Sequence, residues 1–284
     1  MDQPSYETIR VEPHDGVIRI VLDRPDRRNA ISRQVQAELI AAVERAGRDP
    51  AAGAVIISGE GPSFCSGYDV SGDGGTHSAT SLSVPRRAVE TIEMARGWSR
   101  IWNAPIAVIG QVQGHCLAGG TDLALHCDLV IAAEDAVIGF PALRMGGTPP
   151  TNMWLYHLGP QWAKRLLFTG DTFTGRMAEK IGFALEAVPP ERLAEHTLAL
   201  ARRIAAMGRD IVAINKHVLN RGVDLMGRAL LQDISAPLDT IANQAPEMAA
   251  FQARAQEIGL AAAFKERDAP FAEGVPLDVS ADPR

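Results

Sequence analysis

Gly119-Gly120 is the pair on which chemistry is most directly built. It follows strand-like residues and opens a helical run through Asp122, Leu123 and Leu125. Backbone N–H groups without intrahelical partners therefore gather at a helix N-terminus, where an anion is stabilised. A plain tight turn, with glycines for close packing, explains the same pair, and one GG does not choose between them. Other chemistries lack their patterns. There is no GxGxxG after a strand and no GxxxxGK(S/T), so phosphate cradles of those types are absent. No nucleophile elbow supports a Ser-His-Asp order, and the scattered His and Cys lack metal-ligand spacing, so no metal is expected. His115 precedes the glycine turn, and Thr148, Asn152, Trp154, Tyr156 and His157 lie close together further on. His157 is a candidate base, although a His among aromatic residues is more often packed and hydrogen-bonded; His126 is expected to be structural.

The elements that must position these residues follow from periodicity. Residues 8–11 and 17–22 alternate or run apolar around His14-Asp15-Gly16, which predicts a hairpin. Ser32 is an N-cap type ahead of Val35, Leu39, Ala42, Val43 and Ala46 at helical spacing. Residues 54–57, 106–109, 129–132 and 137–140 read as strands and 86–102 as a helix. The Gly, Ser and Thr-rich stretch 59–85 reads as a loop, with 71–85 expected to be mobile. Beyond residue 151 helices are predicted at 161–168, 176–181, 190–206 and, as one Ala-rich helix, 224–264. Met207-Gly208-Arg209-Asp210 is the best linker candidate between an α/β core and this helical part.

Composition narrows the class. With 46% hydrophobic and 22% charged residues the chain matches folded globular proteins, which excludes wholesale disorder and collagen-like sequence. A net charge of −6 with three Tyr and four Trp offers no basic aromatic surface, so no nucleic acid partner is expected. Cys65, Cys116 and Cys127 are an odd number without a CxxC and are expected to be buried thiols of a reducing compartment. The sequence holds no apolar stretch of membrane-spanning length and no apolar leader, so a cytoplasmic location without membrane insertion is expected.

Several segments in a fixed order carry more information than the glycine pair. They are 28–31 (Arg-Asn-Ala-Ile), 63–69 (Ser-Phe-Cys-Ser-Gly-Tyr-Asp), 104–110, 114–125, 127–133, 167–171 and 264–267 (Phe-Lys-Glu-Arg). Together they resemble the enoyl-CoA hydratase/isomerase, or crotonase, family over about residues 8–272. The resemblance implies an α/β fold, a crotonase-like β-β-α superhelix over 1–205 with a C-terminal helical trimerisation region over 206–284. It implies an acyl-CoA thioester substrate, with no cofactor beyond the coenzyme A that the substrate carries, and a homotrimer or a dimer of trimers. By the same resemblance the backbone N–H groups of Tyr68 and Gly119 form the oxyanion hole for a thioester enolate, leaving the Tyr68 side chain free to vary. Arg28, Ala30, Tyr68, Asp69, Val70 and Lys265 lie against CoA, with Arg267 as a further cation. Asp122 occupies the first of the hydratases' two carboxylate positions, as the acid/base. The second position holds Ala142, and Thr148-Pro149-Pro150 adds no acid there. Hydration of an enoyl-CoA thus competes with a one-carboxylate isomerase, decarboxylase or hydrolase reaction, and with acyl-CoA binding alone.

Overall fold

The computed structural model describes residues 5–70, 83–271 and 276–279. Among these residues nine strands run in chain order: β1 (Ile9–His14), β2 (Val17–Leu22), β3 (Ala54–Gly59), β4 (Ala107–Val112), β5 (His115–Leu117), β6 (Leu129–Ala133), β7 (Val137–Gly139), β8 (Thr172–Thr174) and β9 (Glu186–Val188). Ten α-helices accompany them: α1 (Arg33–Arg48), α2 (Val84–Trp102), α3 (Gly119–Leu125), α4 (Trp154–Thr169), α5 (Gly175–Ile181), α6 (Leu193–Ala206), α7 (Arg209–Leu225), α8 (Arg228–Ala242), α9 (Pro246–Ile258) and α10 (Leu260–Asp268). A six-stranded sheet has the order β1-β2-β3-β4-β6-β9, and a second sheet has the order β5-β7-β8.

The hairpin forms as expected. Asp15 and Gly16 both take positive φ, 49° and 79°, the two-residue turn whose twist matches antiparallel strands. Strands β2, β3, β4, β6 and β9 are parallel, and β3 and β4 are buried along nearly their whole length, which is why they read as unbroken apolar runs. The Ser32 hydroxyl caps α1 by accepting the Val35 N–H, and Val35, Leu39, Ala42, Val43 and Ala46 are buried.

The C-terminal half departs from expectation in two places. A single helix over 224–264 does not form. Gly227 (φ 97°) and Gly259 (φ 86°) sit in left-handed or related backbone, and Pro246 opens a new helix, so the segment becomes α8, α9 and α10. Arg209 and Asp210 are not linker; they start α7, and only Met207-Gly208 separates it from α6. Likewise Val84 and Pro85, assigned by sequence to the mobile loop, open α2, with Pro in its first turn. The rest of that loop, 71–82, lies outside the described residues.

Helices α7 and α8 bind the core through polar faces. Lys216 of α7 is buried and reaches Asp128 Oδ2 (2.8 Å) and the Ile106 carbonyl (2.9 Å), while Asn220 donates to the Trp102 carbonyl (2.7 Å). Along α8, buried Arg228 bonds Asp224 (2.6 Å) and lies over the Trp102 ring, and Gln232 accepts from the Ser99 hydroxyl (2.8 Å) and donates to the Ala95 carbonyl (2.8 Å). Their apolar residues Ile211, Ile214, Val218, Leu225, Leu230, Ile234, Leu238 and Ile241 face outward, with Leu230 66% exposed. Among the described residues no helix is long and apolar enough to cross a membrane.

Candidate active site

The site forms where the loop after β3 meets the turn after β5. Cys65 N–H donates to the His115 carbonyl (2.9 Å) and Leu117 N–H to the Cys65 carbonyl (3.0 Å), so the 63–68 loop runs beside β5. A Cβ on Gly67 would stand 2.9 Å from Ala118 Cβ, and one on Gly119 would stand 2.7–2.8 Å from the Tyr68 ring. Only glycines allow this approach, which brings Gly67 and the Tyr68 ring against the start of α3. Ala118, the residue that caps α3, carries φ 46°, a conformation costly for a non-glycine residue. It is held there because its N–H donates to the Gly139 carbonyl (2.9 Å) and its own carbonyl accepts the Thr121 hydroxyl (2.6 Å). The Gly119 amide, at the start of α3, has no carbonyl one turn back in the helix, so it is set up as a donor with the helix dipole behind it.

Asp122 lies one turn into α3 and is wholly buried. Thr151 Oγ1 donates to its Oδ1 (2.5 Å) and the Tyr68 hydroxyl to its Oδ2 (3.0 Å). The indole N–H of Trp98 in turn donates to the Tyr68 hydroxyl (3.1 Å). Burial raises the Asp122 pKa to about 7; the Thr151 and Tyr68 hydrogen bonds oppose that rise and the Asp239 carboxylate adds to it. Asp122 is therefore poised to exchange a proton near neutrality. The Tyr68 side chain is held between Asp122 and Trp98.

The residues expected along CoA divide. Arg28 (φ 48°) and Asn29 (φ 55°) form a left-handed turn, and Asn29 is buried with its side chain on the Ser63 (2.8 Å) and Glu60 (3.0 Å) carbonyls. Arg28 is exposed beside His115, whose pKa is lowered first by burial and then by Arg28. Ala30 and Asp69 are joined through Arg24, which bonds the Ala30 carbonyl (2.6 Å) and the Asp69 carboxylate (2.9 Å). Ile31 and Tyr68 form a parallel bridge, and Val70 is exposed next to them, so Arg28, Ala30, Tyr68, Asp69 and Val70 share one surface region. Lys265 lies on the exposed side of α10, which packs mainly on α9 and on the Ala269–Phe271 and Pro141–Met145 turns. Arg267 is engaged by Asp268 (2.7 Å) and the Phe264 ring.

His157 and His126 are not proton carriers at neutral pH. Burial lowers His157 to about 4 and His126 to about 3; His157 Nε2 meets the Leu125 carbonyl (3.1 Å) and His126 Nδ1 the Asp122 carbonyl (2.7 Å). Cys65, Cys116 and Cys127 are buried free thiols. Among the described residues no His, Cys, Asp and Glu cluster could hold a metal ion. Ala142 sits half-buried in the Pro141–Met145 turn and brings no acid to the site.

Sequence reasoning missed Thr151, Trp98 and Asp239. Asp239 is 3% exposed on α8 and accepts from the Thr148 N–H (2.8 Å) and hydroxyl (3.4 Å). A signal existed: Arg228, Gln232, Ser235 and Asp239 recur at helical spacing as one polar stripe.

The enoyl-CoA hydratase/isomerase family model matches residues 12–264. A probable enoyl-CoA hydratase from Rhizobium meliloti is 31% identical over 273 residues, covering 93% of this chain and all of that protein. A hydroxycinnamoyl-CoA hydratase-lyase from Pseudomonas fluorescens is 30% identical, covering 76% of this chain and 79% of that one. The crystal structure of an enoyl-CoA hydratase from Mycobacterium smegmatis is 38% identical and has a TM-score of 0.88, covering 94% of this chain and 95% of that one. With the crotonase fold and the α3 turn in place, the chain belongs to the enoyl-CoA hydratase/isomerase family.

Proposed function

We propose that this enzyme binds an acyl-CoA thioester, holds its carbonyl oxygen with the Tyr68 and Gly119 N–H groups, and uses Asp122 to move a proton at the enolate so formed. The single observation that carries the reading is Asp122, buried one turn beyond Gly119 with a pKa of about 7. Backbone donors fixed by Gly67 and Gly119 gain strength as charge develops on the thioester oxygen, since they need not reorganise. A carboxylate titrating near 7 can take a carbon-bound or water proton and return it. The Arg28, Ala30, Tyr68, Asp69 and Val70 region, with Lys265, receives the CoA moiety, and CoA arrives as part of the substrate. Asp69 serves there through its backbone, because its carboxylate is held by Arg24.

The outward apolar faces of α7 and α8 support a homotrimer or a dimer of trimers, because patches of this extent are normally covered by a symmetric copy. Calorimetry with a panel of acyl-CoAs, followed by product analysis, tests the function. Binding and turnover of at least one enoyl-CoA are expected. Correctly folded protein that binds none of them would overturn the proposal.

A further inference from the structure

Addition of water across a carbon–carbon double bond moves two protons, one from the water and one to the α-carbon, and a single carboxylate such as Asp122 cannot stand at both places at once. We infer that Asp239 is the second proton-transferring carboxylate of this site, paired with Asp122 across the 148–152 segment. The inference rests on the acyl-CoA reading above and deepens it.

The 148–152 segment joins the two acids. Thr148 holds Asp239 through its N–H and hydroxyl, and Thr151 holds Asp122 through its hydroxyl. Between them Asn152 donates to Ser235 of α8 (3.0 Å), one turn before Asp239, which pins the segment to that helix. Asp239 is close enough for its charge to act on both Asp122 and the Tyr68 phenol that Asp122 shares. The place is also the right one. Gly147 N–H bonds the Ala142 carbonyl (3.0 Å), and a Cβ on Gly146 would meet the Ala242 carbonyl at 3.0 Å, so the end of α8 lies against the loop whose acid position holds Ala142. A cleft lined by Arg87, Asn243, Ala245 and Met248 begins at Asn243, one turn beyond Asp239.

The groups bonded to Asp239 are the Thr148 donors and Asn243 of its own helix, and its charge in turn bears on Asp122 and Tyr68. From α2, Thr91 meets Thr240 (3.1 Å), Arg96 is paired with Asp233 (3.1 Å), and Arg87 lines the cleft. No cation among the described residues neutralises the pair directly. Burial lifts Asp239 to about 6 and Asp122 to about 7, and the Asp239 charge further disfavours ionisation of Asp122, so near pH 6–7 one member can be ionised while the other holds a proton. In hydration the ionised member takes one proton from water as the water oxygen bonds to the β-carbon. The double-bond electrons pass to the thioester oxygen, held by Tyr68 and Gly119. The protonated member gives its proton to the α-carbon as the carbonyl re-forms. The pair thus ends with the proton count it began with.

Steady-state hydration of the enoyl-CoA panel by wild type, Asp239→Asn and Asp239→Glu tests this, with calorimetry of a saturated acyl-CoA alongside. Asn keeps an oxygen for the Thr148 donors, so saturated acyl-CoA affinity should stay within about threefold. Turnover should fall by about 10²–10⁴-fold, and the bell-shaped pH profile of kcat/KM should lose one limb, with Glu restoring both in part. Thr148→Val, which removes a donor favouring the ionised form, should move a limb to higher pH and gives a second readout if Asp239→Asn is unstable. Turnover unchanged in Asp239→Asn, or reduced with both limbs of the profile intact, overturns the role of Asp239 and leaves the acyl-CoA reading standing. A wild-type protein that neither binds nor converts acyl-CoAs overturns both.

Discussion

In α1 the buried face is Val35, Leu39, Ala42, Val43 and Ala46, whereas in α8 it is Arg228, Gln232, Ser235 and Asp239, with Leu230, Ile234, Leu238 and Ile241 turned outward. The same physics acts on both. Apolar area leaves water in α1 by packing on the sheet, at about 25 cal/mol per Å². In α8 the inward polar groups are matched partner for partner, by Ser99, Ala95, Asn152 and Thr148, so their burial is compensated by hydrogen bonds. Such a helix holds the core through a polar inner face and leaves its apolar outer face exposed, the face proposed above to meet another subunit.

The largest effect that would sharpen the contrast is at Lys216, where α7 also buries a polar group. Lys216→Ala leaves Asp128 without its partner and should cost about 3–5 kcal/mol in denaturant unfolding. In α1, Leu39→Ala should cost about 2–5 kcal/mol, since Leu39 is fully enclosed. Next comes a dependence on pH. Asp122 has a folded pKa raised to about 7, so the stability tied to its protonated form is complete below about pH 4 and is lost as pH rises through 7. Asp122→Asn escapes that loss, and its Tm relative to wild type should be higher at pH 8 than at pH 5. A constant difference would show that Asp122 ionises as freely as in the unfolded chain. The smallest change in folding stability belongs to the outward face. Leu238→Gln should alter unfolding by no more than about 0.5 kcal/mol measured on the dissociated chain. In sedimentation it should lower the assembly size, and an unchanged assembly would remove α8 from the subunit contact.

Much of the α/β core was legible because burial there follows simple periods. The 17–22 and 54–57 runs became β2 and β3, and the Ser32 cap and its apolar stripe became α1. The C-terminal breaks were harder to read, since Gly227 and Gly259 end helices by backbone conformations that an Ala-rich context conceals. Tyr68, Gly119 and Asp122 were singled out through motifs that carry the family resemblance, and the structure packs the Tyr68 ring against Gly119 and bonds its hydroxyl to Asp122. Thr151, Trp98 and Asp239 were not, because their roles arise from contacts across 29, 30 and 91 residues. Sequence spacing cannot report such contacts. The polar stripe of α8 was visible, but only its burial shows that it faces inward.

The measurement that bears most directly on the account is turnover by Asp122→Asn across pH 5 to 9, on the acyl-CoA that wild type converts best, with binding of a saturated acyl-CoA as the control. The variant keeps the volume of Asp122 and an acceptor for Thr151 while losing the proton-accepting carboxylate. Saturated acyl-CoA affinity should be retained, turnover should fall by about 10²–10⁴-fold, and the limb of the wild-type profile near pH 7 should vanish. Turnover equal to wild type, with that limb still present, would contradict the central role given to Asp122.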